Sequence, residues 1–118
     1  MGKTMSKEES IARACDVLAE NFDEFIPGAG RGAPLAVRWR WPDTAYEAVL
    51  RLEQDLTGPD DSCRLRPMMH EMGGDRAVSV YMAKGTGEEL KAWLLAPKNR
   101  AELLNTLEAL KKSVDNFD

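Results

Sequence analysis

A chain of 118 residues with 16 basic and 20 acidic side chains is sized for one domain around one modest core. Its net charge of −4 speaks against a general nucleic-acid or anionic-membrane binder, which is basic overall. No apolar stretch approaches the length of a membrane-spanning helix, and the polar start MGKTMSKEES lacks the core of a signal peptide.

Cys15 and Cys63 stand far apart with no C-x-x-C spacing, the usage of free thiols in a reducing compartment, so the expected location is the cytoplasm. Gly2 and Ser6 meet a myristoylation spacing, but a plain start sequence explains so short a match.

Residues 1–6 are expected to lie outside the fold. Ser6 and Glu9 have capping-box spacing, which predicts a helix start, and Ile11, Cys15, Leu18, Phe22 and Phe25 recur at helical steps after it. Pro27 and its glycines predict a flexible loop over 27–34. LAVRWRW, 35–41, alternates Val37, Trp39 and Trp41 with Arg38 and Arg40 and predicts a strand that Pro42 ends. Thr44 and Glu47 have capping-box spacing again. Ala45, Val49, Leu52 and Leu56 then predict a second helix, closed by Thr57-Gly58-Pro59 and followed by a turn at 60–62.

Residues 63–72 read as a second strand, with Cys63 and Leu65 alternating with Arg64 and Arg66. Pro67 offers no N–H, which predicts an edge position or a bulge. Gly73-Gly74-Asp75 predicts a hairpin turn, AVSVYMA over 77–83 a third strand, and 84–87 another turn. Residues 88–96 fit two patterns. Thr86 and Glu89 suit a helix cap, while the Gly-rich turn after a strong strand favours a meander; the strand is the expectation. A last helix is predicted over 98–116, with Ala101, Leu104, Leu107, Leu110 (or Leu103 and Lys111) and Val114 at helical steps.

The predicted order is α-β-α-β-β-β-α. It describes a single α+β domain over 1–118, a four-stranded, mainly antiparallel sheet with helices packed on one face. The opposite face, read by alternation, carries Arg38, Arg40, Arg64, Arg66, Met68, His70, Ser79, Tyr81, Lys91 and Trp93.

Catalytic motifs are weak. His70 is the single histidine, and no serine sits in a nucleophile-elbow frame. Met68, His70 and Met72 would share a strand face and could suit a soft metal ion, although methionine also fills packing gaps. Gly28, Gly30 and Ala33 match G-x-G-x-x-A as letters, but with helix before and strand after, the reverse of the dinucleotide-binding context. The acid pairs Glu8-Glu9, Asp23-Glu24, Asp60-Asp61 and Glu88-Glu89 are sequence neighbours that diverge on any regular element.

The sequence therefore points to a small non-catalytic binding domain with no cofactor, no metal and no membrane. The expected contact residues are Arg38, Arg40, Arg64, Arg66, Tyr81 and Trp93, and the expected partner is a protein, a second copy of itself included. Single-stranded nucleic acid on the same face is the alternative. An enzyme or soft-metal site centred on His70 is the third reading. Arginine filling the wet face of a half-buried sheet is the purely structural account of the same pattern.

Overall fold

The computed structural model describes residues 5–22, 35–55, 57–58 and 62–116. The first helix, α1 (Lys7–Glu20), starts as its capping box dictates. Ser6 Oγ accepts from the Glu9 amide at 3.0 Å, and Glu9 Oε1 accepts from the Ser6 amide at 2.9 Å. Its buried stripe is Ile11, Ala14, Cys15 and Leu18. Phe25 and the 27–34 loop lie outside the described residues.

Strand β1 (Leu35–Arg40) leads into a hairpin and not into a helix. Trp41 donates its amide to Tyr46 O at 2.9 Å, and Asp43 takes a left-handed φ of 62°, a conformation aspartate tolerates in turns. Thr44 is a turn residue here. Its hydroxyl donates to Trp41 O (2.7 Å) and accepts from the Tyr46 amide (3.1 Å).

The segment expected to be the second helix is strand β2 (Tyr46–Gln54). Its apolar residues satisfy both periods. The set Tyr46, Ala48, Leu50 and Leu52 has the strand step of two, and hydrogen-bonded neighbours on both sides decide in its favour. Thr57 belongs to the following turn, where Asp55 Oδ1 accepts from both its amide (3.0 Å) and its hydroxyl (2.7 Å). Leu56, Pro59 and 60–61 lie outside the described residues.

Strand β3 (Ser62–Glu71) is the long central strand, and at Gly73 (φ 77°) the chain turns back. The return strand is broken into β4 (Ala77–Ser79) and β5 (Ala83–Thr86), both paired with β3. Ser79 pairs with Met68 and Ala83 with Leu65, so residues 80–82 stand opposite only Arg66 and Pro67. That is a bulge. Val80 donates to Pro67 O (3.2 Å) and Met82 to Leu65 O (2.9 Å). Pro67 turns its carbonyl toward this side, so its missing N–H is missing here too. The expected consequence of Pro67 thus falls on the facing strand, while β3 itself is internal.

Two further corrections follow. Residues 84–86 are strand and not turn, and 88–96 is helical. Helix α2 (Gly87–Leu95) begins at a second complete capping box. Thr86 Oγ1 accepts from the Glu89 amide (3.2 Å), and Glu89 Oε1 from the Thr86 amide (2.8 Å). Leu90 and Leu94, one turn apart, are buried while Leu95 is exposed; strand alternation would have buried Ala92 with them. Helix α3 (Pro97–Asp115) buries Leu103, Leu107, Leu110 and Val114, so Ala101 lies on its exposed side.

The order is α-β-β-β-β-β-α-α, with the sheet antiparallel throughout and β1 at one edge. The α+β class stands, with an antiparallel sheet and helices on one side, although two segments exchange helix for strand. The core lies between the layers. Ala48, Leu50, Leu52, Cys63, Leu65 and Met69 from the sheet meet the helices' leucines there. Trp41 is fully buried and donates its indole N–H to Glu108 Oε2 at 2.8 Å; Lys7 Nζ stands 3.0 Å from the same oxygen. Burial alone would raise the Glu108 carboxyl's pKa, but the hydrogen bonds from Lys7 and Trp41 outweigh it and hold the pKa below the usual range. Arg100 pins the three helices, donating to Leu94 O at 3.0 Å and pairing with Asp16.

Thr86→Ala is expected to cost about 1 kcal/mol, because it strips the cap from α2; were 88–96 a strand, no cap would be lost. Leu107→Ala is expected to cost about 2–5 kcal/mol, as large-to-small changes in packed cores do. Urea unfolding followed by circular dichroism checks both.

Candidate binding face

Directly opposed residues in an antiparallel sheet point to the same side, so the register lays out the solvent face in rows. One row runs Arg40, Glu47, His70, Ala77, and the next Arg38, Val49, Met68, Ser79. The third holds Ala36, Arg51 and Arg66, and the last Glu53, Arg64 and Lys84. Tyr81, in the bulge, lies against this face with the Arg64 guanidinium 4.1 Å and that of Arg66 5.3 Å from its ring centre.

Five of the six expected contact residues, Arg38, Arg40, Arg64, Arg66 and Tyr81, therefore share one plane. Trp93 does not. It sits in α2 in the other layer, half-buried against the core, and Lys91 is on the same helix. Met68 and His70 are on the face, while Met72 is exposed beyond the end of β3. Among the described residues no group of three His, Cys, Asp or Glu side chains is placed to hold a metal ion.

Reading β2 as a helix hid the residues that set the electrostatics. Glu53 is the hub. Its carboxylate stands 3.0 Å from Arg51 Nε, 3.5 Å from Arg64 Nε and 3.3 Å from Arg66 Nη1. With a side chain only 13% exposed, it works in a medium less screened than bulk water. Arg66 also donates through Nε to Ser79 Oγ at 2.9 Å, and Arg38 pairs with Glu47 at 3.3 Å. Arg51 Nε and Arg64 Nε are buried, yet neither makes a well-formed hydrogen bond.

Three guanidiniums thus meet at the Glu53 carboxylate, and Arg64 Nη1 also reaches Asp55 at 3.9 Å. Among the described residues the face sets six cations (Arg38, Arg40, Arg51, Arg64, Arg66 and Lys84) against three carboxylates, those of Glu47, Glu53 and Asp55. Arg40 and Lys84 are exposed and have no ion pair among the described residues. Val49 points to this face and is nonetheless only 2% exposed, covered in a sheet row between Arg38 and Met68. The arginine layer thus roofs apolar surface as well as carrying charge.

A hollow of about 320 Å³ opens beside Arg64, Tyr81 and Lys84, with Thr57 and Asp55 on its wall. The hydrogen bonds from the Thr57 hydroxyl and amide hold the Asp55 carboxyl below the usual aspartate range, and the positive charges of Arg64 and Lys84 act the same way. Far from this face, burial pushes the Cys15 thiol up to about 11, so it is protonated at neutral pH.

The signal for the missing residues was present. Arg51 and Glu53 have the same parity as Glu47 and Val49, opposite to Ala48, Leu50 and Leu52, and a strand reading of 46–54 places them beside Arg64 and Arg66.

Glu53→Gln is expected to lower stability by about 1–3 kcal/mol, because three partly buried arginines lose their counter-charge. The loss should shrink as salt rises. Asp55, with its pKa lowered by folding, contributes fully to stability above the unfolded aspartate value of about 3.9. That contribution disappears as pH falls through the depressed folded value. Acid titration of the wild type against Asp55→Asn should show this component vanish in the variant. Comparison with known families, curated proteins and solved structures finds no match to this chain.

Proposed function

We propose that this protein is a small cytoplasmic binding domain that recognises an acidic protein through its open sheet face. A second copy of itself is among the candidate partners, and no cofactor takes part. The observation that carries this reading is the excess of positive charge among the described residues of that face within a chain of net charge −4. Three arginines crowd around Glu53, with Asp55 3.9 Å from Arg64 as a further carboxylate, and Arg40 and Lys84 have none among the described residues. A partner that supplies carboxylates would meet guanidiniums already fixed in place, an arrangement suited to paired hydrogen bonds. Tyr81 offers a rigid apolar contact next to them.

Single-stranded nucleic acid is less well served. Sheet-type readers stack two or three bases on aromatic rings, and with Trp93 in the other layer Tyr81 is the one aromatic among the described residues of this face. His70 makes no hydrogen bond or ion pair among the described residues that would orient it as a general base. Among those residues no helix is long and apolar enough to cross a membrane.

Arg40→Glu combined with Lys84→Glu tests the proposal, because both side chains are exposed and neither supports the Glu53 cluster. Acidic proteins captured from host lysate by the tagged wild type should bind the double variant about tenfold more weakly, with the thermal midpoint unchanged. Capture indifferent to both charges would remove the face from consideration. A high ultraviolet absorbance ratio from co-purifying nucleic acid would favour the alternative.

A further inference from the structure

The two edges of the sheet are built differently. The β4–β5 edge is broken by the bulge at 80–82, a device that discourages strand addition. The β1 edge is an unbroken run of six residues that, among the described residues, pairs with β2 alone. Trp41 donates to Tyr46, and the register repeats in steps of two, so Leu35, Val37 and Trp39 turn their N–H and C=O groups toward β2. Ala36, Arg38 and Arg40 turn theirs outward, and no hydrogen bond engages them among the described residues.

Side chains near this edge show what would fit. Between α1 and β1 runs a groove of about 200 Å³, walled by Ala14, Val17, Val37 and Trp39. The Trp39 indole N–H is buried in that region with no acceptor. The charged side chains of β1 itself, Arg38 and Arg40, are both basic, and Arg13 of α1 lines the groove beside them. Arg38 keeps 66% of its side chain exposed although it pairs with Glu47, and Arg40 and Arg13 have no ion pair among the described residues.

We propose that β1 is a docking strand that accepts an extended acidic peptide as an added antiparallel strand, its alternate residues acidic and apolar. This rests on reading the protein as a binder of acidic partners and moves the contact from the face to its border. Residues opposite Arg38 and Arg40 would project onto the solvent face beside the guanidiniums, which calls for carboxylates. Residues opposite Val37 and Trp39 would project over the groove, which calls for apolar side chains. Main-chain bonds give such a complex its affinity, and the alternating side chains give it selectivity. A second copy is the poorer occupant. Two β1 strands paired antiparallel about Arg38 or Trp39 put arginine directly opposite arginine, which is unfavourable.

The geometry sets a sharp test. Opposite Arg38, a partner residue exchanges both of its backbone hydrogen bonds with β1, so the amides of the acidic residues are the ones engaged. The probe is a fluorescently labelled peptide alternating glutamate and valine, followed by anisotropy with the full chain. N-methylation of the glutamate amides should weaken binding at least about tenfold, and methylation of the valine amides should leave it unchanged. Arg40→Glu should weaken this peptide and strengthen a lysine–valine counterpart, an exchange that a merely damaged fold would not produce.

No binding by the unmethylated peptide overturns the proposal. Equal sensitivity to both methylation patterns, or to neither, overturns it as well, and returns any charge-dependent binding to the open face. A dimer in sedimentation that the peptide does not dissociate assigns the edge to a second copy instead. If the peptide fails while Arg40→Glu with Lys84→Glu still releases captured acidic proteins, the edge is wrong and the face reading survives.

Discussion

Strand β3 is the constraint on which the rest of the structure depends. It is the longest strand, it pairs along both sides, and its alternation is strict. Cys63, Leu65, Pro67 and Met69 are buried under the helices while Arg64, Arg66, Met68 and His70 turn outward. A slip of one residue would exchange these two sets, burying two guanidiniums and exposing the centre of the core. The cost of burying unpaired charge therefore fixes the register, and with it the side on which every arginine of the sheet appears. Pro67 adds a second effect, since its missing N–H coincides with the place where the return strand bulges and brings Tyr81 over Arg64 and Arg66.

The charge pattern follows from that register. Glu53 reaches the Arg51, Arg64 and Arg66 side chains because β2 and β3 align Glu53 with Arg64 and Arg51 with Arg66. Without the carboxylate, three guanidiniums would stand together on partly buried stems. With it, the cluster holds together and stays cationic. The same layer covers Val49, so part of the arginines' role is packing. The structural and recognition readings of this face are compatible, since stems that cover apolar surface also hold their charged heads in fixed positions.

Local rules were legible wherever a residue satisfies its own neighbourhood. The Ser6–Glu9 box, the Leu35–Arg40 alternation, the Gly73 turn and the leucine-rich last helix all rest on contacts a few residues apart or on an unambiguous period. The two failures share a cause. Segments 44–56 and 88–96 each fit both periods, so nothing within them separates helix from strand. At 44–56 a cap-like Thr44 served a turn instead, and flanking strands claimed the backbone. At 88–96 the cap was real, and the residues expected to form the turn before a new strand are instead β5, paired with β3. These exchanges moved Trp93 off the candidate face and brought Arg51, Glu53 and Lys84 onto it.

The amino-acid order by itself determined the α+β class, the capped first helix, and the segregation of arginine and apolar residues onto opposite sides of β1 and β3. These are consequences of side-chain period, cap chemistry and the penalty on buried charge, all of which act over short stretches. Only the tertiary structure decided that 46–54 would be a strand, that Glu53 would serve three arginines, and that one sheet edge would be broken while the other ran without a break. Those outcomes depend on which backbone amides find partners far along the chain. That competition is settled between segments, where no local window can see it.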